Sequence, residues 1–81
     1  MDDKEILGRI DDLIQTEHAL RARLAAGQLT SDEEQGALKS AEDALDQCWD
    51  LLRQRRARRE AGLNPDDASV RSRGTVEGYL A

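Results

Sequence analysis

Leu24-Ala25-Ala26-Gly27-Gln28-Leu29-Thr30-Ser31-Asp32-Glu33-Glu34 is the stretch on which the fold turns. Gly27 is a residue able to take the left-handed conformation that ends helices. Ser31 followed three residues later by Glu34 forms a capping box, and Thr30 with Glu33 repeats the pattern one position earlier. One helix therefore stops near residue 26 and another starts near residue 31. The link Gly27-Gln28-Leu29-Thr30 is short, and short links join antiparallel neighbours.

Upstream of this break, Ile6, Ile10, Leu13, Leu20 and Leu24 recur at helical spacing on one face, with Leu7 and Ile14 widening it on one side. Asp2 or Asp3 can cap the start. Downstream, Leu38, Ala41, Leu45, Cys48 and Leu52 form a second apolar face, with Ala37, Ala44 and Leu51 on one flank and Trp49 on the other, up to a stop at Gly62. Charge supports the antiparallel arrangement. Asp2, Asp3 and Glu5 open the first helix where Arg53, Arg55, Arg56, Arg58 and Arg59 close the second, and Arg21 and Arg23 fall near Asp32, Glu33 and Glu34. Each cluster also sits at the helix end whose dipole favours its sign.

The expected fold is all-α: an antiparallel helical hairpin over about residues 3–26 and 31–61, with a hairpin unit of residues 1–62 and a C-terminal tail of 63–81. In the tail, Asn64-Pro65-Asp66-Asp67 can cap and start a short helical turn, and Val76, Tyr79 and Leu80 are apolar anchors able to fold back or to dock on a partner. Each helix carries an apolar stripe wider than one partner helix can cover, as in a bundle core. Two hairpins related by a two-fold axis would form a four-helix bundle, so a homodimer is expected, with Leu7, Ile14, Leu51 and Trp49 at its interface. The alternative is a monomer whose tail covers the second stripe.

Composition narrows the classes further. With 81 residues there is room for one domain, and with Trp49 and Tyr79 the only aromatics and no Phe, a β-sheet core is disfavoured. The net charge of −5 argues against coating nucleic acid or an anionic membrane, and no apolar run is long enough to span a bilayer or serve as a signal core. A single cysteine, Cys48, suits a reducing compartment, and the cytoplasm is the expected location.

Three clusters merit a functional reading beside a structural one. Glu17 falls in the middle of the apolar face, where Arg21 one turn on can pair with it and His18 lies beside it, giving a buried polar contact that sets register. A small metal-binding bundle built on Glu17 and His18 is the functional alternative, although the Glu-x-x-His spacing of di-iron bundles is absent. Arg53, Arg55, Arg56, Arg58 and Arg59 form a basic patch that suggests a nucleic-acid accessory role, but they spread over more than half the helix circumference with no aromatic for base stacking. Cys48 reads as a small core hydrophobe. No Gly-rich phosphate loop, nucleophile elbow or paired-cysteine motif is present, so no catalytic residue, cofactor or metal is expected, and the protein reads as a non-enzymatic interaction or scaffold protein.

Four segments carry a family likeness: Asp2-Asp3-Lys4-Glu5-Ile6-Leu7; Glu17-His18-Ala19-Leu20-Arg21-Ala22-Arg23-Leu24; Leu45-Asp46-Gln47-Cys48-Trp49-Asp50-Leu51-Leu52-Arg53-Gln54-Arg55-Arg56; and Val76-Glu77-Gly78-Tyr79-Leu80. On these, nearly the full chain resembles a family of short uncharacterised actinobacterial proteins, domain of unknown function 2630. The resemblance implies no catalytic residues, and none are carried over.

Overall fold

The computed structural model describes residues 1–28, 31–72, 74 and 76. Helix α1 spans Asp3–Ala25 and helix α2 spans Asp32–Glu60, followed by a 3-10 turn at Pro65–Asp67, and Gly74 and Val76 have helical backbone. No strand occurs among the described residues. The two helices pack side by side and antiparallel, and the turn packs against α2.

Local chemistry accounts for each boundary. The Asp2 side chain caps α1 by accepting from the Glu5 N–H at 2.8 Å, and Ser31 Oγ caps α2 by accepting from the Glu34 N–H at 3.1 Å. The Glu34 carboxylate is taken by Arg23 of α1 at 2.8 Å, so this residue ties the hairpin together as well as opening a helix. Both helices end in the same way. Gly27 and Gly62 have φ of 72° and 74°. That conformation lets the Gln28 N–H reach the Arg23 carbonyl at 2.8 Å and the Leu63 N–H reach the Arg58 carbonyl at 2.7 Å, which satisfies carbonyls otherwise left over at a helix end. The Asn64 side chain accepts from the Asp66 N–H at 3.0 Å, with Pro65 supplying the pre-set first residue of the short turn.

The core is Ile6 and Ile10 of α1 against Leu45, Cys48 and Leu51 of α2, with Leu13, Leu52 and Ala68 packed around them. It lies towards one end of the hairpin, where the segment after Gly62 returns along α2. Farther along α1, Leu24 stays exposed and Leu20 only partly buried. Two helices alone leave part of their apolar stripes to solvent.

Both ends of the hairpin are closed by opposite charges. Asp3 accepts from Arg55 at 2.5 Å and pairs with Arg59 at 2.8 Å. At the far end Arg21 meets Glu42 at 2.5 Å and Arg23 meets Glu34. This is the complementarity that the sequence required of an antiparallel pair.

Candidate interaction surface

The hairpin has two flanks, and the chain treats them differently. Residues 63–72 run back along one of them. Ala68 packs on the core, and a crevice of about 160 Å³ is lined by Met1, Ile6, Ala44, Cys48, Leu51 and Val70 among others. Val76 is fully buried.

A polar latch fixes this return. Asp50 is fully buried on α2, and its carboxylate accepts from Arg71 at 2.9 and 2.6 Å and from Gln54 Nε2 at 3.0 Å, with Arg53 at 3.5 Å. Gln54 Nε2 also donates to the Ser69 carbonyl at 2.8 Å, and Gln47 Nε2 donates to the Arg71 carbonyl at 3.3 Å. The Arg71 guanidinium holds the Asp50 carboxyl below the usual carboxylate range, against the opposing effect of burial. Every buried polar side-chain atom among the described residues has a hydrogen-bond partner.

This latch is not among the contacts expected from the sequence. Gln47, Asp50 and Gln54, at spacings of three and four, form a polar stripe beside the Leu51 flank, and that stripe is a legible signal that something polar lies across it. Its partner, 21 positions beyond Asp50, is not marked by any local pattern.

The opposite flank is open. Leu7 is 47%, Ile14 39% and Trp49 49% exposed. Leu7, Trp49 and Leu52 form the floor of a groove of about 460 Å³ whose rim carries Asp3, Arg53, Arg56 and Arg59.

Leu51 is a correction to the expected dimer interface. It is only 6% exposed, because the chain's own return segment covers its flank, whereas Leu7, Ile14 and Trp49 stay open. Val76 is likewise corrected as a partner-binding anchor, since a residue with no exposed surface cannot present one. Tyr79 and Leu80 lie outside the described residues.

Glu17, Arg21 and His18 do not form a buried contact. Glu17 does pair with Arg21, which extends to Glu42 of α2, but the Arg21 side chain is 56% exposed and His18 faces solvent. No group of three or more His, Cys, Asp or Glu side chains with metal-binding geometry occurs among the described residues.

The basic patch is divided by its partners. Arg55 is buried, donating to Asp3, to the Pro65 carbonyl at 3.1 Å and to Asp66 at 3.0 Å. Hydrogen bonds from Arg59 and then Arg55 lower the Asp3 pKa. Arg56 and Arg58, the first exposed and the second half-buried, have no ion pair among the described residues. Cys48 is buried and unpaired in the core. No helix is long and apolar enough to cross a membrane among the described residues.

No solved structure matches the chain. Uncharacterised proteins of Mycobacterium bovis and of Mycobacterium tuberculosis are each 53% identical to it over 77 residues, which is 95% of this chain and 88% of theirs. The family model for proteins of unknown function DUF2630 matches residues 2–81. The chain, a two-helix hairpin with one flank latched and one flank open, therefore belongs to the DUF2630 family.

Proposed function

We propose that the protein is a non-enzymatic interaction module that acts as a homodimer, using the open flank of the hairpin as its contact face. The observation that carries this reading is the contrast within one small fold. The return segment covers Leu51 and buries a fully satisfied polar latch, while Leu7, Ile14 and Trp49 are left together on the other side, where a shallow groove opens. Grouped apolar exposure of this kind, with a large aromatic at its centre and arginines at its rim, has the composition of an interface. Two hairpins packed on this face would make a four-helix bundle with the return segments on its outside.

The nucleic-acid reading has less support. Arg55 is buried, Arg59 is held by Asp3 and Arg53 pairs with Asp50, so three of the five arginines are committed within the chain. A basic patch reduced in this way offers few phosphate contacts to an acidic protein.

Equilibrium sedimentation at several loading concentrations tests the proposal, with Trp49→Glu as the comparison. The expected result is a species of twice the 9.0 kDa chain mass for wild type and a single chain for the variant. A wild-type protein that stays at the single-chain mass up to about 100 µM, where even a weak homodimer would populate, contradicts it.

A further inference from the structure

The open flank is self-complementary under one of the two ways in which a two-fold axis can join it to a copy. The ion pairs that close the hairpin fix which residues are level. Asp3 meets Arg55 and Arg59 at one end, and Arg21 meets Glu42 and Arg23 meets Glu34 at the other. Both helices advance about 1.5 Å per residue in opposite directions, so each step along α1 is matched by one step back along α2. Leu7 is then level with Arg53, Ile14 is level with Asp46, and Trp49 lies near the midpoint.

On α2, Glu42, Asp46, Trp49, Arg53 and Arg56 follow one another at alternating spacings of four and three, which places them in one line along a helix face. Trp49, Arg53 and Arg56 of that line border the open groove. The line is acidic on one side of Trp49 and basic on the other.

A two-fold axis running along the helices would keep the levels. Leu7 would then face Arg53 of the second copy and Ile14 would face Asp46, setting apolar groups against charges. A two-fold axis running across the helices at the level of Trp49 reverses them. Leu7 then faces Ile14 of the second copy, Trp49 faces Trp49, Arg53 faces Asp46 and Arg56 faces Glu42. The midpoint of Leu7 and Ile14 on α1 and the midpoint of Asp46 and Arg53 on α2 fall at one level, so a single axis serves both helices.

We infer that the occupant of the open flank is a second copy docked with α1 antiparallel to α1 and α2 antiparallel to α2, its register set by Arg53–Asp46 and Arg56–Glu42 pairs across the axis. This docking rests on the self-association proposed above and adds its geometry. The charges on the line are arranged so that the two-fold across the helices brings unlike signs together twice, and apolar groups meet only apolar groups.

The test exchanges charges between copies. Asp46→Arg alone sets like charges opposite one another at both symmetric positions, and so does Arg53→Glu alone. Mixing the two variants sets the introduced arginine of one copy opposite the introduced glutamate of the other, and restores the native pairing of Arg53 with Asp46 at the second symmetric position. In sedimentation and native mass spectrometry, each variant should associate about tenfold to a hundredfold more weakly than wild type, and the mixture should recover association as the mixed dimer. Arg53 lies 3.5 Å from Asp50, so a second pair, Arg56→Glu mixed with Glu42→Lys, repeats the test away from the latch; because Glu42 also holds Arg21 of its own chain, the melting of each dilute variant is compared with wild type to separate a loosened hairpin from lost docking. If wild type associates and both pairs of variants associate equally well alone and mixed, the docking is wrong while self-association stands. If wild type is a single chain at every concentration, both are wrong.

Discussion

Leu51 and Trp49 stand two positions apart on α2, yet Leu51 is 6% exposed and Trp49 is 49% exposed. The helix puts them on opposite flanks, and the chain spends its return segment on one flank only. What distinguishes the flanks is polar as much as apolar. Beside Leu51 the stripe of Gln47, Asp50 and Gln54 offers fixed partners for a returning backbone and for Arg71, so that closure satisfies every buried group there. Beside Trp49 the charges are separated by sign along the helix. The comparison teaches that a wide apolar stripe does not by itself decide what covers it: the hydrogen-bonding groups at its edge select the chain's own tail on one side and leave the other open.

The largest effect should come from breaking the covered flank. Asp50→Ala leaves Arg71 and Gln54 without their common acceptor and releases the return segment from Leu51. We expect a loss of about 2 to 3 kcal/mol in urea denaturation, less than a fully buried ion pair would cost because Arg71 is about one-third exposed. Faster cleavage by trypsin at Arg71 should accompany it. An unchanged melting curve would show that the latch is idle.

Breaking the open flank should do the reverse. Trp49→Ser is expected to leave the stability of the dilute chain within about 0.5 kcal/mol of wild type, as for an exposed position. The same change should weaken association by at least about tenfold, the behaviour of an aromatic anchor at the centre of an interface. A variant that unfolds instead would place Trp49 in the fold rather than on its contact face.

Acid should act on the covered flank and on the hairpin end together. The carboxyls of Asp50 and Asp3 are held below their ordinary range by arginine partners, so the unfolded chain binds these protons more readily than the folded one. Their contribution is therefore complete above the unfolded value of about 4 and is lost as pH falls through the lower folded values. Denaturation midpoints should be level from neutrality to about pH 5 and fall below about pH 4, and Asp50→Asn should flatten that fall.

The smallest effect sharpens the comparison. Asp11 is exposed and level with Trp49, so the proposed docking would bring it near its own mate in the second copy. Asp11→Asn removes that like-charge approach and is expected to tighten association by about two- to threefold in sedimentation, while leaving the melting of the dilute chain unchanged. Looser association would move the axis away from this level.

The hairpin was legible because its signals are local: a glycine, a short link and a capping serine around residues 27–31, flanked by stripes at helical spacing and by end charges of opposite sign. The return segment was not, because its anchors are contacts between residues far apart in the chain, and nothing near Arg71 names Asp50 as its mate. For that reason Leu51 read as an interface residue, and Trp49 could not be told from it by pattern alone. Glu17 read as buried because periodicity places it in the middle of a stripe. The exposure of its Arg21 partner, which stands half in solvent, is a tertiary property.

Trp49 is the single tryptophan of the chain and stands on the open flank, so its emission reports that flank alone. The most direct measurement is Trp49 fluorescence and acrylamide quenching as the protein is concentrated from the nanomolar to the high micromolar range. Burial against a second copy predicts an emission shift to shorter wavelength and falling quenching along one binding curve that matches the sedimentation mass. Emission and quenching that stay constant while the mass doubles would contradict the open flank as the contact face, and constancy of all three would contradict the dimer itself.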